Sequence, residues 1–179
     1  MTQDLLLPQL NFVLPMLLAA TETVYDFASQ PGHVLALGLA AFGSSIGIGL
    51  AGQAAAGAWA KEARAGRNLS FTYIILVGMP ISQTLYAMIV MNNVSNVLKS
   101  PELAATNAGL LLGIGIATGL GEMLSAWMQG MIGAAGIRAL SDSEGKGLAF
   151  IIIAMGIAET VGIFTLAFLL GMIPAVPAV

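Results

Sequence analysis

The stretch LAFIIIAMGIAETVGIFTLAFLLGM, Leu148–Met172, carries one charge, Glu159. It is longer than the roughly 20 residues a helix needs to cross a bilayer, and its hydrophobicity is continuous rather than alternating. A barrel strand of about 10 residues does not fit it. Outward from it, three further runs share this character. Val34–Ala60 and Phe71–Leu98 hold no Asp, Glu, Lys or Arg, and Leu103–Ile137 holds only Glu122. The sequence therefore predicts an all-α membrane protein of four transmembrane helices. Composition agrees: 58% of the 179 residues are hydrophobic and 8% charged, against about 25% charged in soluble domains. Mean hydropathy is +0.90. The chain has no cysteine, which excludes disulfides, thiolate metal sites and thiol catalysis. A net charge of −3 gives no basis for nucleic-acid binding.

The connections are short: KEARAGRNLS (Lys61–Ser70), KSPELA (Lys99–Ala104) and RALSDSEGKG (Arg138–Gly147). The runs thus pair into two tandem helical hairpins, 34–98 and 105–173, joined by an outer connection at 99–104. Five of the six Lys and Arg residues, Lys61, Arg64, Arg67, Arg138 and Lys146, fall in the first and third connections. An excess of basic residues marks cytoplasmic loops, so 61–70 and 138–147 are expected in the cytoplasm and both termini outside. Residues 1–33 form an N-terminal extension, interrupted by Pro8 and Pro15 and lacking Lys or Arg. The expectation is an interfacial or partly inserted segment. A processed signal peptide is the alternative, against which the missing basic region counts.

An internal repeat is visible when the chain is slid along itself by 76 residues without gaps. Gly43 then meets Gly119, Gln53 meets Gln129, Gly57 meets Gly133, and Gln83 meets Glu159. Gln53 and Gln83 lie 15 residues either side of position 68, and Gln129 and Glu159 lie 15 either side of position 144. At ~1.5 Å per helical residue, this spacing predicts that each pair shares one depth within the hydrocarbon. Packing the hairpins together would bring positions 83, 129 and 159 to a common level.

A mid-membrane carboxylate must be neutralised by a proton, a cation or a counter-charge. No span contains Lys or Arg, which leaves a proton or a small cation. Hard cations take oxygen ligands, and Gln83, Gln129 and Ser82 can supply them. Pro80 lacks an N–H and can leave a carbonyl available in its turn. Tyr86, three residues after Gln83 and so on the same helical face, could donate to the carboxylate. The bland alternative is a protonated packing residue.

The motifs MPISQTLY (Met79–Tyr86), MQGMIGAAGIR (Met128–Arg138) and GIAETVGIF (Gly156–Phe164) carry a resemblance. Over about Leu37–Met172 the chain resembles the membrane-rotor proteolipid (c or K subunit) of rotary V-type and archaeal-type ATPases, in its duplicated four-helix form. The resemblance implies a homo-oligomeric ring turning against a stator membrane subunit that supplies an arginine. Cytoplasmic central-stalk subunits would dock on loops 61–67 and 138–146, and lipid would surround the ring. One carboxylate per unit, Glu159, would carry the ion, the first hairpin having Gln83 in its place. In sodium-carrying members the resemblance assigns Na+ to the backbone carbonyl of Met79, Ser82, Gln83, Gln129 and Glu159. Tyr86 would hold the carboxylate, and Pro80 matches the proline before the ligands. Ser82 stands where threonine is familiar. Two Gln and a Ser are surplus to a proton site, so Na+ is the expected ion and H+ the alternative. No phosphate loop of the G-x-x-x-x-G-K type is present, so nucleotide is expected on a partner and no catalytic site on this chain.

A small secondary transporter with Glu159 as its coupling carboxylate is the competing reading from another class. Its repeats would more often be inverted than parallel. Gly43, Gly47, Gly57, Gly119 and Gly133 are expected as helix-packing points, where small residues let backbones approach. Glu122 either lines an ion path or sits protonated or near an aqueous mouth. Asn92, Asn93 and Asn96 are expected to mark the interface, and His33 to be solvated.

Overall fold

The computed structural model describes residues 3–176, the side chains of 3–13 and 20–29 excepted. The described residues form α1 (Gln3–Arg64), α2 (Thr72–Gly78), a 3-10 turn (Met79–Ile81), α3 (Ser82–Leu98), α4 (Pro101–Thr106), α5 (Ala108–Asp142) and α6 (Leu148–Leu170). Among the described residues, four stretches are long and apolar enough to cross a membrane: Gln30–Arg64, Thr72–Leu98, Ala108–Asp142 and Leu148–Leu170. The fold is therefore the four-helix membrane architecture expected from the sequence. The backbone of α1 continues from the extension into the first span without a break. The interfacial placement expected for residues 1–33 falls largely on side chains outside the described ones.

Glycine ends α1. Gly66 has φ +67°, a left-handed conformation that costs a residue without Cβ little. Its N–H reaches the Ala63 carbonyl (3.1 Å), and the Arg67 N–H reaches that of Glu62 (2.9 Å), the paired bonds of a Schellman motif. The turn is then clasped by side chains. The buried Glu62 accepts from the Tyr73 hydroxyl and from the Ser70 N–H. Trp59 Nε1 donates to the Ser70 carbonyl (2.8 Å), and the Arg67 guanidinium donates to the Ser141 carbonyl (3.3 Å) at the end of α5. The two loops on this side are thus fastened together. The Lys61–Asp142 ion pair nearby is exposed and contributes little. On the opposite side, the connection read as 99–104 contains the short helix α4, begun by Pro101 at a position where no N–H is needed.

Helices α1 and α5 run parallel and in close contact along the span. A Cβ at Gly43 would strike the Met123 backbone, and one at Gly47 would strike the Ala126 carbonyl. At Gly119 it would lie 2.7 Å from the Leu35 carbonyl oxygen, and at Gly133 3.0 Å from Met155 Cε. Small residues there let the helices approach without side chains between them. Gly57, expected in the same role, has no atom of a neighbouring helix within 4 Å of such a Cβ. The outer face belongs chiefly to α6, whose Phe150, Ile157, Phe164 and Phe168 are exposed.

The first hairpin corrects the expected register. Thr84 Oγ1 donates to Ser44 Oγ (2.8 Å), and Pro80 lies against Gly47. Gln83 is therefore level with the region of Ser44, and Gln53 lies roughly 13 Å further along α1 at ~1.5 Å per residue. Gln53 is exposed and lines a cavity of about 500 Å³ with Lys61, Arg138 and Asp142. The chain reverses at Gly66, and the Ser70 N–H is already level with Glu62, so the hairpin is centred before position 68 and equal counting from there fails. The second hairpin has the expected register: Gln129 meets Glu159, and Gly136 meets Ile151.

Candidate functional site

Three helices bring the site together at one level. Pro80 interrupts the second span: it offers no N–H to the Leu76 carbonyl, and the chain tightens into the 3-10 turn Met79–Ile81 before α3 resumes. That turn aims Ser82 and Gln83 inward. Ser82 Oγ lies 3.0 Å from the Met79 carbonyl oxygen and 3.2 Å from Gln83 Oε1. Gln83 is fully buried, and its Nε2 lies 3.2 Å from Ser125 Oγ and 3.4 Å from Gln129 Oε1.

From α5, the buried Gln129 continues the chain of contacts. Its Nε2 donates to the Met155 carbonyl (3.2 Å) and to Glu159 Oε2 (3.4 Å). The other carboxylate oxygen, Oε1, accepts from the Tyr86 hydroxyl at 2.8 Å. One oxygen is thus pinned by tyrosine and the other by the Gln129 amide, behind which Gln83 bonds Gln129. The residues singled out in the sequence, Met79, Ser82, Gln83, Tyr86, Gln129 and Glu159, form one connected polar network inside a membrane span. The carbonyl freed by Pro80 is that of Leu76, while the carbonyl of Met79 is the one within reach of Ser82.

Sequence reading missed Ser125. It sits one helical turn before Gln129 on the same face of α5, which was the available signal. Its hydroxyl donates to the Ala158 carbonyl (2.8 Å) and accepts from Gln83, tying α3, α5 and α6 together. Glu122, one turn further, is wholly buried and not at an aqueous mouth of the chain. Neither of its oxygens has a hydrogen-bond partner. Across from it, Gly162 of α6 faces Glu122, Ser125 and Gln83 together. His33 is half-buried with Nδ1 unpartnered, rather than solvated. Asn93 donates to the Ile89 carbonyl within α3, and Asn96 accepts from Lys99.

Among the described residues no cluster of three or more His, Cys, Asp or Glu could hold a transition metal. The donor set is instead two amides, hydroxyls, a backbone carbonyl and one carboxylate, which suits a hard monovalent cation or a proton.

The family model for the ATP synthase C-subunit matches the chain twice, over residues 32–92 and 112–172. No curated protein matches the sequence. Each match covers one hairpin. The matches begin at 32 and 112, 80 residues apart, the separation at which Gly43 packs on Met123. The ungapped slide of 76 thus misplaces α1 against α5 by about one turn. At a separation of 80, Glu122 corresponds to Phe42 in the first hairpin.

Proposed function

The chain belongs to the ATP synthase C-subunit family, ion-translocating membrane rotor proteins without a catalytic site of their own, and from that premise we propose that it carries Na+ on Glu159 in a V-type or archaeal-type rotary ATPase. The observation that supports sodium is the convergence of oxygen-bearing groups on one carboxylate. Gln129 at 3.4 Å and Tyr86 at 2.8 Å touch Glu159, and Gln83, Ser82 and the Met79 carbonyl stand directly behind. A proton would need none of the amides. The duplicated hairpin with Gln83 opposite Glu159 in the repeat supports the V-type or archaeal-type assignment.

The mechanism follows from charge. A bare carboxylate at the bilayer centre costs at least about 2.5–3.5 kcal/mol. Bound Na+ neutralises Glu159, and only then does the protomer enter the lipid-facing sector of the ring. To ligate, the Gln129 amide turns so that its oxygen replaces its NH2 towards the carboxylate. Tyr86 keeps one carboxylate oxygen fixed while the other takes the ion. A stator membrane subunit supplies the aqueous entry and exit paths and an arginine that stops unloaded sites from slipping past. Central-stalk subunits dock on loops 61–67 and 138–146, which face the cytoplasm, with both termini outside.

Carbodiimide labelling of Glu159 in the purified ring tests this reading. Na+ at neutral pH is expected to protect Glu159, and K+ is not. Labelling that is indifferent to Na+ would favour the proton.

A further inference from the structure

Glu122 stands outside the set assigned to Glu159, yet its environment is not that of a packing residue. It is fully buried, and both its oxygens lack partners. Thr118, one turn earlier on the same face of α5, is also fully buried, with its Oγ1 unpartnered. Ser125 lies three residues after Glu122 on that face, where residues three and four apart are neighbours. Gly162 of α6 closes this polar pocket: a Cβ there would lie 2.5 Å from Glu122 Oε2, 3.3 Å from Ser125 Oγ and 3.4 Å from Gln83 Cγ. Glycine is thus the residue that leaves room for the carboxyl group.

No Lys or Arg lies within the apolar runs 34–60, 71–98, 103–137 or 148–172 to act as counter-charge. An uncompensated carboxylate buried there carries a heavy desolvation cost. We propose that Glu122, with the hydroxyls of Thr118 and Ser125, is a second site for a monovalent cation, either a proton or Na+, resident in the four-helix core. Each protomer then holds two cation equivalents, one exchanged at Glu159 and one kept at Glu122. Ser125 links the two sites, since it borders Glu122 and bonds Gln83. The proposal rests on the rotor reading for Glu159 but is measured separately from it.

The experiment uses purified wild-type and Glu122→Gln rings saturated with Na+ at neutral pH. Bound 22Na+ is counted per protomer, and protonated-carboxyl C=O bands are recorded in infrared spectra in H2O and D2O. If the resident ion is a proton, Glu122→Gln removes one carboxyl band and leaves the Na+ count unchanged. If it is Na+, the count falls by one per protomer. Unchanged band and unchanged count overturn the proposal. Glu159→Gln rings read the first site independently: should Glu159 carry H+ rather than Na+, that variant loses its own band while the Glu122 result stands. If Glu122→Gln rings fail to assemble, Ser125→Ala and Thr118→Val rings replace them. A shifted carboxyl band or a weakened second Na+ supports the site, and spectra and counts identical to wild type overturn it.

Discussion

Replacing Tyr86 by Phe removes one hydroxyl and leaves the aromatic ring in place. The bond it breaks, 2.8 Å from Tyr86 to Glu159 Oε1, reaches a carboxylate that is charged when it holds Na+ and neutral when it holds a proton. Hydrogen bonds to charged groups contribute about 1.5–3 kcal/mol, and neutral ones about 0.5–1.5. The hydroxyl therefore favours the Na+-loaded form over the protonated form by roughly 1–1.5 kcal/mol. Since about 1.4 kcal/mol is a factor of ten, Tyr86→Phe should raise the Na+ concentration giving half-maximal protection about tenfold at fixed pH. The assay is carbodiimide labelling of Glu159 across a Na+ series at constant pH, because the reagent attacks the protonated carboxyl. A half-protecting concentration within about twofold of wild type would refute the reasoning, for Tyr86 would then not distinguish the two forms.

Three other outcomes are expected. Ser125→Ala strips the Ala158 carbonyl of its donor and Gln83 of an acceptor, so the assembled ring should lose about 1–3 kcal/mol per protomer and dissociate at lower temperature in detergent. Gly47→Leu drives a side chain into the Ala126 carbonyl and Pro80, and should abolish ring assembly on native gels. Gln53→Ala should leave half-protecting Na+ unchanged, because Gln53 lies roughly 13 Å along α1 from the level of Gln83; a tenfold loss would restore the symmetrical register.

The architecture was legible because the bilayer imposes a simple constraint: long apolar runs, short charged connections, and two tolerated acids, Glu122 and Glu159. The second hairpin was legible to the residue, since Gln129 and Glu159 meet as counting from the loop centre requires. The first hairpin was misread in depth. A gap of about four residues is close to one helical turn, so small residues still matched when α1 was slid along α5, though they lay at the wrong level. That is why counting put Gln53 level with Gln83 and made Gly57 a packing point. Ser125 and the surroundings of Glu122 escaped for a different reason. Their importance comes from what α6 presents to them, the Ala158 carbonyl and the space at Gly162, and single-helix periodicity carries no information about a facing helix.

ATP-driven uptake of 22Na+ into proteoliposomes containing the complete ATPase, measured with a protonophore present, tests the central claim most directly. Uptake should persist or increase with the protonophore and vanish in Glu159→Gln. Uptake that collapses with the protonophore, or an ATP-driven acidification without 22Na+ entry, would contradict sodium as the ion carried on Glu159.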